Sequence, residues 1–139
     1  LAFQIEDAHQ SANAYWQVNG PLKVGGNPNS PSGDITATGN ITAFASSDKR
    51  LKDNIIPITS SLDKINKLNG YEFEWNDKQK SFEGKDIGLL AQEVQEVYPM
   101  LVGEQDTGYL GIKYEKLVPL LVQGIKELTQ RIEELERRD

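Results

Sequence analysis

The residues with the clearest capacity for chemistry are Ser47 and Lys52, which lie five positions apart in a charged segment. A serine hydroxyl is a weak nucleophile at neutral pH, so it needs a nearby base that takes its proton during attack. Lys52 can serve as that base only when uncharged, yet an exposed lysine titrates at about 10.4. Desolvation or neighbouring cations would lower this pKa, and Lys49 and Arg50 are the adjacent cations. The pair predicts nucleophilic catalysis that depends on folding.

The same segment also has an ordinary structural interpretation. A serine followed by mixed charges is most often part of a solvated loop or a helix cap, so the residue types alone leave both interpretations open. Glu93 and Glu96 form another candidate pair, because their spacing places two carboxylates on one face of a helix. A solvent-exposed helix face explains that spacing equally well, and we assign these two residues no catalytic role.

Composition excludes several classes of function. The chain of 139 residues contains no cysteine and one histidine, His9, so we expect neither disulfides nor a zinc centre. Its net charge of -6 opposes nonspecific binding of nucleic acid, and no apolar run is long enough to span a membrane. No cofactor is predicted. Because the chain begins at Leu1 without a methionine, we expect it to be the C-terminal part of a longer protein.

Residues 1–46 differ in composition from the rest of the chain. They are rich in glycine, asparagine, serine and threonine, and they contain one basic residue, Lys23. Residues 35–45 alternate β-branched or apolar residues with small polar ones around Gly39-Asn40. This pattern predicts short strands joined by a turn. The change in composition marks a domain boundary at residue 46.

Tyr15 and Trp16, which lie among asparagine and glutamine residues, admit two interpretations. Aromatic rings beside amides make good platforms for sugars, which would indicate contact with a glycan or a receptor. In a short β-rich segment, however, aromatic residues more often form the small core that the segment can assemble. We favour the core and keep the receptor contact as the alternative.

The segment after Asn54 is predicted to be a small mixed α/β unit. Asn69-Gly70 supplies the stop signal of a first helix, and Pro99 helps to end a second one. Between them, three aromatic residues alternate with two glutamates, which is the period of a half-buried strand. The expected elements are a helix over 62–68, a strand over 71–75, an apolar run over 87–90 and a helix through Val94 and Val97.

A long final helix is the clearest structural prediction. Its apolar residues recur at alternating spacings of three and four, as in the seam of a coiled coil. Pro119 fits only in a first turn, so the helix is expected to start close to it. Arg131 and Glu136 occupy g and e positions of successive heptads, where they would form an interchain ion pair. The six seam residues are Val118, Leu121, Ile125, Leu128, Ile132 and Leu135.

Three segments of the chain resemble the motifs of one known family. The segments are residues 47–55, 87–99 and 114–121. They occur in the same order as in the family, and the heptad helix follows them to the end of the chain. Together they resemble the intramolecular chaperone domain of phage tail fibres, tailspikes and endosialidases. That family consists of Ser/Lys autoproteases and includes relatives among the myelin regulatory factor proteins. The resemblance covers Ser46 to the end of the chain.

The resemblance implies both an assembly and a cleavage. Members of the family trimerise at the C-terminal end of a fibrous protein, help it to fold and are then released. Carried onto this sequence, the bond that is cut joins Ser46 to Ser47, with Ser47 as the nucleophile and Lys52 as its base. The resemblance implies a coiled coil of three helices, although isoleucine at position a and leucine at position d favour two helices in isolated parallel coiled coils. The enzyme would be a single-turnover serine peptidase that acts on its own chain.

The implied architecture is α+β and is assembled as an intertwined homotrimer. Residues 1–46 would form the distal end of a β-rich phage fibre, and residues 47–139 the chaperone, with a coiled-coil helix over about 115–139. The partners would be further copies of the chain, the upstream fibre protein and a host-surface receptor or glycan. The fibre would stay on the virion tail, whereas the chaperone is released into the host cytoplasm. A passive trimerisation cap or a receptor-binding tip is the alternative.

The position of Ser47 directly after the bond suggests how the cut would proceed. Its hydroxyl oxygen lies near the carbonyl carbon of Ser46 and could attack through a five-membered ring, which converts the peptide into an ester. Water would then hydrolyse the ester while Lys52 carries protons. Backbone amides or the side chain of Asn54 could stabilise the oxyanion, although a turn or capping role is the more ordinary explanation of Asn54.

Overall fold

The computed structural model describes residues 39–79, 82–105 and 107–138. The predictions for Tyr15 and Trp16, and for most of the fibre segment, lie outside the described residues. The described end of that segment, residues 39–46, is exposed and forms no strand. The strand expected around Ile41 is thus absent from the single chain, because an extended segment without a neighbouring strand has no hydrogen-bond ladder to hold it.

The described residues contain both helices and small antiparallel sheets, and they end in a long helix. The α+β class is therefore confirmed, while the trimer and the coiled coil stay predictions. The helices are α1 (Ser61–Ile65), α2 (Ala91–Val97) and α3 (Leu117–Glu136), and short 3-10 turns cover Lys49–Leu51, Pro99–Leu101 and Tyr114–Lys116. The strands are β1 (Tyr71–Glu74) paired with β2 (Lys85–Gly88), and β3 (Val102–Glu104) paired with β4 (Leu110–Ile112).

The first helix is shorter than the sequence predicts. α1 ends at Ile65, with Asn66 as its C-cap, so the stop signal expected at Asn69-Gly70 is wrong. Leu68 lies beyond the helix and is half-buried against the core. A helix of 5 residues has too few internal hydrogen bonds to persist alone. Packing against the rest of the protein therefore determines where α1 begins and ends.

The alternation of aromatic and acidic residues is confirmed in β1. Tyr71 and Phe73 are half-buried, whereas Glu72 and Glu74 are exposed. Trp75 follows the strand, and its ring meets that of Phe73 edge-on at a centroid distance of 5.0 Å. The aromatic side of the strand therefore faces the protein, as the period of two predicts.

The core is small and is centred on α2, α3 and the turn between α2 and β3. Val94 and Leu120 are fully buried, and Leu101 is 2% exposed. α2 ends at Val97, and Pro99 begins the next turn, which agrees with the predicted stop. Partly buried residues surround this core, namely Ile58, Ile65, Leu68, Leu89, Tyr98, Val102, Ile112 and Leu117.

α3 presents two faces with different surroundings. The docking face, which we define as Leu120, Gly124, Glu127 and Arg131, lies against α1 and the core. The seam, which is the set of six heptad residues named above, is between 47% and 65% exposed at every position. Pro119 lies in the first turn of α3, as predicted. A single chain thus covers one face of its long helix and leaves the other in water.

Candidate functional site

The Ser47–Lys52 pair is brought together by one tight turn. Asp48 caps the turn Lys49–Leu51, because its Oδ1 accepts the backbone N–H of Arg50 at 2.9 Å. The chain reverses over these residues, so that Lys52 Nζ lies 2.9 Å from Ser47 Oγ and 3.1 Å from the Ser47 carbonyl oxygen. A distance of this size permits direct proton transfer between the hydroxyl and the amine.

The neighbouring charges of Asp48 and Arg50 pair with each other. Arg50 Nη2 donates to Asp48 Oδ2 at 2.7 Å, and Arg50 Nε donates to Oδ1 at 3.1 Å. These hydrogen bonds hold the pKa of the Asp48 carboxyl below its usual range. The charge of Arg50 is largely compensated in this way, which argues against the expectation that Arg50 acts as a free cation on Lys52.

Both members of the Ser47–Lys52 pair are exposed in a single chain, as are all residues from 39 to 57. In water a lysine is an ammonium ion that donates hydrogen bonds, whereas catalysis requires the neutral amine that accepts one. The geometry of the pair is therefore present, but the desolvation that a base needs is not. A catalytic role for Lys52 requires something that covers this surface.

Ser46 and Asn54 flank the pair on either side. Ser46 directly precedes Ser47 and is exposed, like the rest of the segment. Asn54 has a φ of 52°, in the left-handed region that asparagine tolerates better than most residues. This backbone conformation accounts for an asparagine at the turn. Stabilisation of an oxyanion by Asn54 stays a prediction.

Glu93 and Glu96 differ in their surroundings, so they do not act as a pair. Glu93 is half-buried and accepts hydrogen bonds from the Tyr71 hydroxyl at 2.6 Å and from Asn69 Nδ2 at 3.4 Å. The hydrogen bond to Glu93 raises the pKa of Tyr71. Glu96 is exposed. The solvated-face interpretation thus fits Glu96, whereas Glu93 joins α2 to the start of β1.

Glu127 is a structural residue that the sequence analysis missed. Its Oε1 accepts the backbone N–H of Ser61 at 2.9 Å, and its Oε2 accepts that of Leu62 at 3.0 Å. These two bonds, the one from Leu62 first, hold the pKa of Glu127 below its usual range. The available signal was Gly124, since a glycine inside a long helix often marks the close approach of another element.

Arg131 has a partner in its own chain. Its Nη2 lies 3.9 Å from Asp63 Oδ1, and both side chains are well exposed. The sequence predicts instead an interchain ion pair with Glu136. The contact with Asp63 competes for the same guanidinium, so the interchain pair is less favoured than the heptad position alone suggests.

Membrane-spanning helices and metal-binding clusters are both absent from residues 39–79, 82–105 and 107–138. No helix in these ranges is both long and apolar enough to cross a membrane. The same ranges contain no group of three or more histidine, cysteine or acidic side chains arranged to hold a metal ion.

Known proteins match this chain at the same segment. A family described as chaperone of endosialidase, which is also named as a peptidase family, matches residues 47–103. The long tail fiber protein Gp37 of Enterobacteria phage K3 is 36% identical over 118 residues, which are 77% of this chain and 9% of that protein. The Gp37 protein of Enterobacteria phage T2 matches with the same identity and coverage.

A relative from a different kind of organism is also similar. Myelin gene regulatory factor-like A of Dictyostelium discoideum is 27% identical over 135 residues, which are 81% of this chain and 14% of that protein. The chain thus spans only a small part of the length of each relative. The family match begins at Ser47, where the composition changes and the Ser47–Lys52 pair starts. Residues 47–103 of this chain belong to the chaperone-of-endosialidase family.

Proposed function

We propose that this chain is the intramolecular chaperone of a trimeric phage tail fibre, and that it releases itself by cutting the bond between Ser46 and Ser47. Residues 1–46 are the end of the fibre, and residues 47–139 are the chaperone. The proposal rests on the family match at residues 47–103 and on two relatives that are tail fibre proteins. The fibre would remain with the virion, as the relatives' names suggest for those proteins.

The observation that carries the proposed cleavage is the 2.9 Å separation of Lys52 Nζ and Ser47 Oγ. A flexible chain would sample this distance rarely, whereas the capped turn between the two residues holds it. Pre-orientation of this kind lowers the barrier because the reacting groups need not be brought together during the reaction. The family match, which begins at Ser47, is consistent with a chaperone whose first residue after cleavage is Ser47.

The proposed reaction has two steps. Ser47 Oγ forms a bond to the Ser46 carbonyl carbon while neutral Lys52 takes the hydroxyl proton. That proton passes to the Ser47 nitrogen as the peptide C–N bond breaks, which leaves an ester and a free amine. The amine of Lys52 then takes a proton from water, the resulting hydroxide attacks the ester carbonyl carbon, and Lys52 gives that proton to Ser47 Oγ as the ester C–O bond breaks. The products are a Ser46 carboxyl group and a chain that begins at Ser47.

Assembly supplies the desolvation that the single chain lacks. The seam leaves six apolar residues exposed on α3, and burial of such residues between copies of the chain favours a coiled coil. When three chains associate, neighbouring copies would cover the exposed segment of Ser47 and Lys52. Removal of water disfavours the ammonium form of lysine, so the base becomes active only after assembly.

The decisive test is the mass of freshly synthesised protein and of three variants. The wild-type chain should yield two fragments separated at the bond between Ser46 and Ser47. Ser47→Ala should remain whole, and Lys52→Arg should remain whole because a guanidinium stays protonated and cannot act as a base. Lys49→Arg is the matched control, since it makes the same replacement at a lysine outside the pair, and it should cut normally. Cutting of Lys52→Arg at the wild-type rate would contradict the base assignment.

A passive trimerisation cap that stays attached is the second candidate. It is favoured by the exposure of both Ser47 and Lys52 in the single chain, where the lysine is solvated. In that case the 2.9 Å contact is only a hydrogen bond that stabilises the turn. The same mass measurement separates the two candidates, because a passive cap gives one full-length mass from the wild-type trimer.

A further inference from the structure

α1 has no side-chain cap of its own at its N-terminus. Its N-cap, Ser60, has a φ of 54° and makes no side-chain capping bond. The first backbone N–H groups of a helix have no partner inside the helix, so they must be satisfied from elsewhere. Here the partner is the carboxylate of Glu127, which accepts one bond with each oxygen. The residue that caps α1 thus belongs to α3, 66 positions from Ser61.

Gly124 adds a second restraint to the contact between α1 and α3. It is buried one turn before Glu127, on the same face of α3. A Cβ atom at Gly124 would collide with Cδ1 of Ile65 and would lie 3.9 Å from Cδ2 of Leu62. The two helices therefore approach each other more closely than a larger residue would allow, and the position of α1 on the docking face is well defined.

The segment that carries Ser47 and Lys52 is tied to α1 by a short connection. Only residues 53–60 separate Lys52 from Ser61, and Ile58 within this connection packs against the core. A displacement of α1 therefore moves the residue-60 end of this connection, and the short connection passes the movement toward Lys52. Because the docking face and the seam lie on the same helix, α1 also relates the pair to the axis about which copies would assemble.

We propose that Glu127 is a positioning residue, which fastens α1 to the docking face of α3 and thereby fixes the place of the Ser47–Lys52 segment relative to the seam. The proposal rests on the proposed self-cleavage and adds a link between assembly and the cut. Formation of the coiled coil orients α3, Glu127 orients α1 on α3, and the connection orients the reacting pair. Loss of this link leaves the chains able to assemble but slow to cut.

The first test measures cleavage in trimers only, so that a variant that forms fewer trimers is not mistaken for one that cuts more slowly. Precursors are made in a cell-free system, trimers are separated by sedimentation at successive times, and the cut fraction is read by intact mass. Glu127→Gln trimers should cut at least about tenfold more slowly, because small displacements of reacting groups cost that much or more. Glu134→Gln is the matched control, since Glu134 stands one heptad later and is exposed. Glu127→Gln trimers that cut at the wild-type rate would overturn the proposal.

Two substitutions that compensate for each other, Gly124→Ala and Ile65→Val, test the same link if Glu127→Gln assembles poorly. Gly124→Ala adds the methyl group that collides with Ile65 Cδ1, so it should displace α1 and slow the cut. Ile65→Val removes the atom that is struck, so the double variant should recover most of the wild-type rate. Normal cutting by Gly124→Ala, or no recovery in the double variant, would overturn the proposed link.

Hydrogen exchange separates this proposal from the proposed cleavage. The measurement uses Ser47→Ala trimers, in which no cut is expected. Adding Glu127→Gln should speed exchange at the N–H groups of Ser61 and Leu62 and across residues 47–56, whereas Glu134→Gln should not. Unchanged exchange over residues 47–56 would refute the positioning role even if Ser47 cuts. If wild-type trimers fail to cut while this exchange effect is seen, the cleavage assignment fails and the positioning of the segment stands.

Discussion

The docking face and the seam of α3 are built on the same helix but differ in what covers them. Leu120 on the docking face is fully buried within one chain, and Glu127, two turns further along that face, has both carboxylate oxygens bonded to α1. Every seam residue, in contrast, is about half exposed or more. One face is thus covered by folding of a single chain, whereas the other is left exposed for the further copies that we propose. Folding and the proposed assembly therefore use different faces of α3.

Substitutions in the seam should have the largest effect, because they should prevent both trimer formation and cleavage. Replacing Ile125 and Leu128 by aspartate would place unpaired charges at the contact between chains, where burial without a partner is costly. We expect loss of the trimer and of cleavage, while the docking face keeps the single chain folded. Sedimentation and intact mass measure the two outcomes. Gln130→Asp is the control at an outer heptad position, and a double-aspartate variant that still forms trimers would show that the seam is not the interface.

A cavity on the docking face should have a smaller effect, and it should lower the stability of the folded chain rather than its association. Leu120→Ala removes a fully buried side chain, which typically lowers the free energy of unfolding by about 2–5 kcal/mol. We expect a lower urea midpoint for the globular part, with trimers still formed at low denaturant. Leu121→Ala, at the neighbouring seam position, should weaken association instead. Equal effects of the two variants on association would contradict the separation of the two faces.

The hydrogen bonds from α1 to Glu127 should have a still smaller effect, which should depend on pH. The pKa of Glu127 is lowered by the N–H groups of Leu62 and Ser61, so its stabilising effect is complete above the ordinary carboxyl range and is lost as the pH falls through the lowered value. Asp63 and Arg131 are the other charged groups in contact there. The difference in urea midpoint between wild type and Glu127→Gln should therefore be largest near neutral pH and should shrink in acid. A constant difference would contradict the capping role.

The Arg131 ion pair should have the smallest effect. Its contact with Asp63 is exposed and measures 3.9 Å, and pairs of this kind contribute at most about 1 kcal/mol. Arg131→Gln should shift the urea midpoint only slightly, and the shift should vanish when Asp63→Asn is already present. If the shift vanishes instead when Glu136→Gln is already present, Arg131 forms the interchain ion pair with Glu136 that its heptad position predicts.

Much of the architecture could be predicted because it follows from local patterns. The heptad spacing predicted the long helix α3, and Pro119 marked its first turn. The aromatic alternation predicted β1. α1 was predicted too long, because its end at Ile65 depends on packing rather than on a stop signal in the sequence. The hairpin of β3 and β4 escaped prediction, since its strands are 3 residues each and include glycine.

The catalytic role of Ser47 and Lys52 stays a prediction, and the structure adds the contacts around them that the sequence did not reveal. The family resemblance, rather than the spacing alone, pointed to Ser47 and Lys52, and the structure places their polar atoms 2.9 Å apart. The pairing of Asp48 with Arg50 was not foreseen, because mixed charges in sequence do not reveal which ones meet. Glu127 was missed for a similar reason, since its partners are backbone groups remote in the chain. Contacts of this kind depend on tertiary structure, and no local pattern encodes them.

If assembly activates the Ser47–Lys52 pair, cut chains should occur only in assembled protein. Precursor chains from one cell-free synthesis are separated into trimers and monomers, and each fraction is analysed by intact mass. We predict that chains beginning at Ser47 appear in the trimer fraction and accumulate there with time, while monomers remain whole. Cut chains in the monomer fraction, in the same proportion and at the same rate, would contradict the claim that assembly activates the Ser47–Lys52 pair.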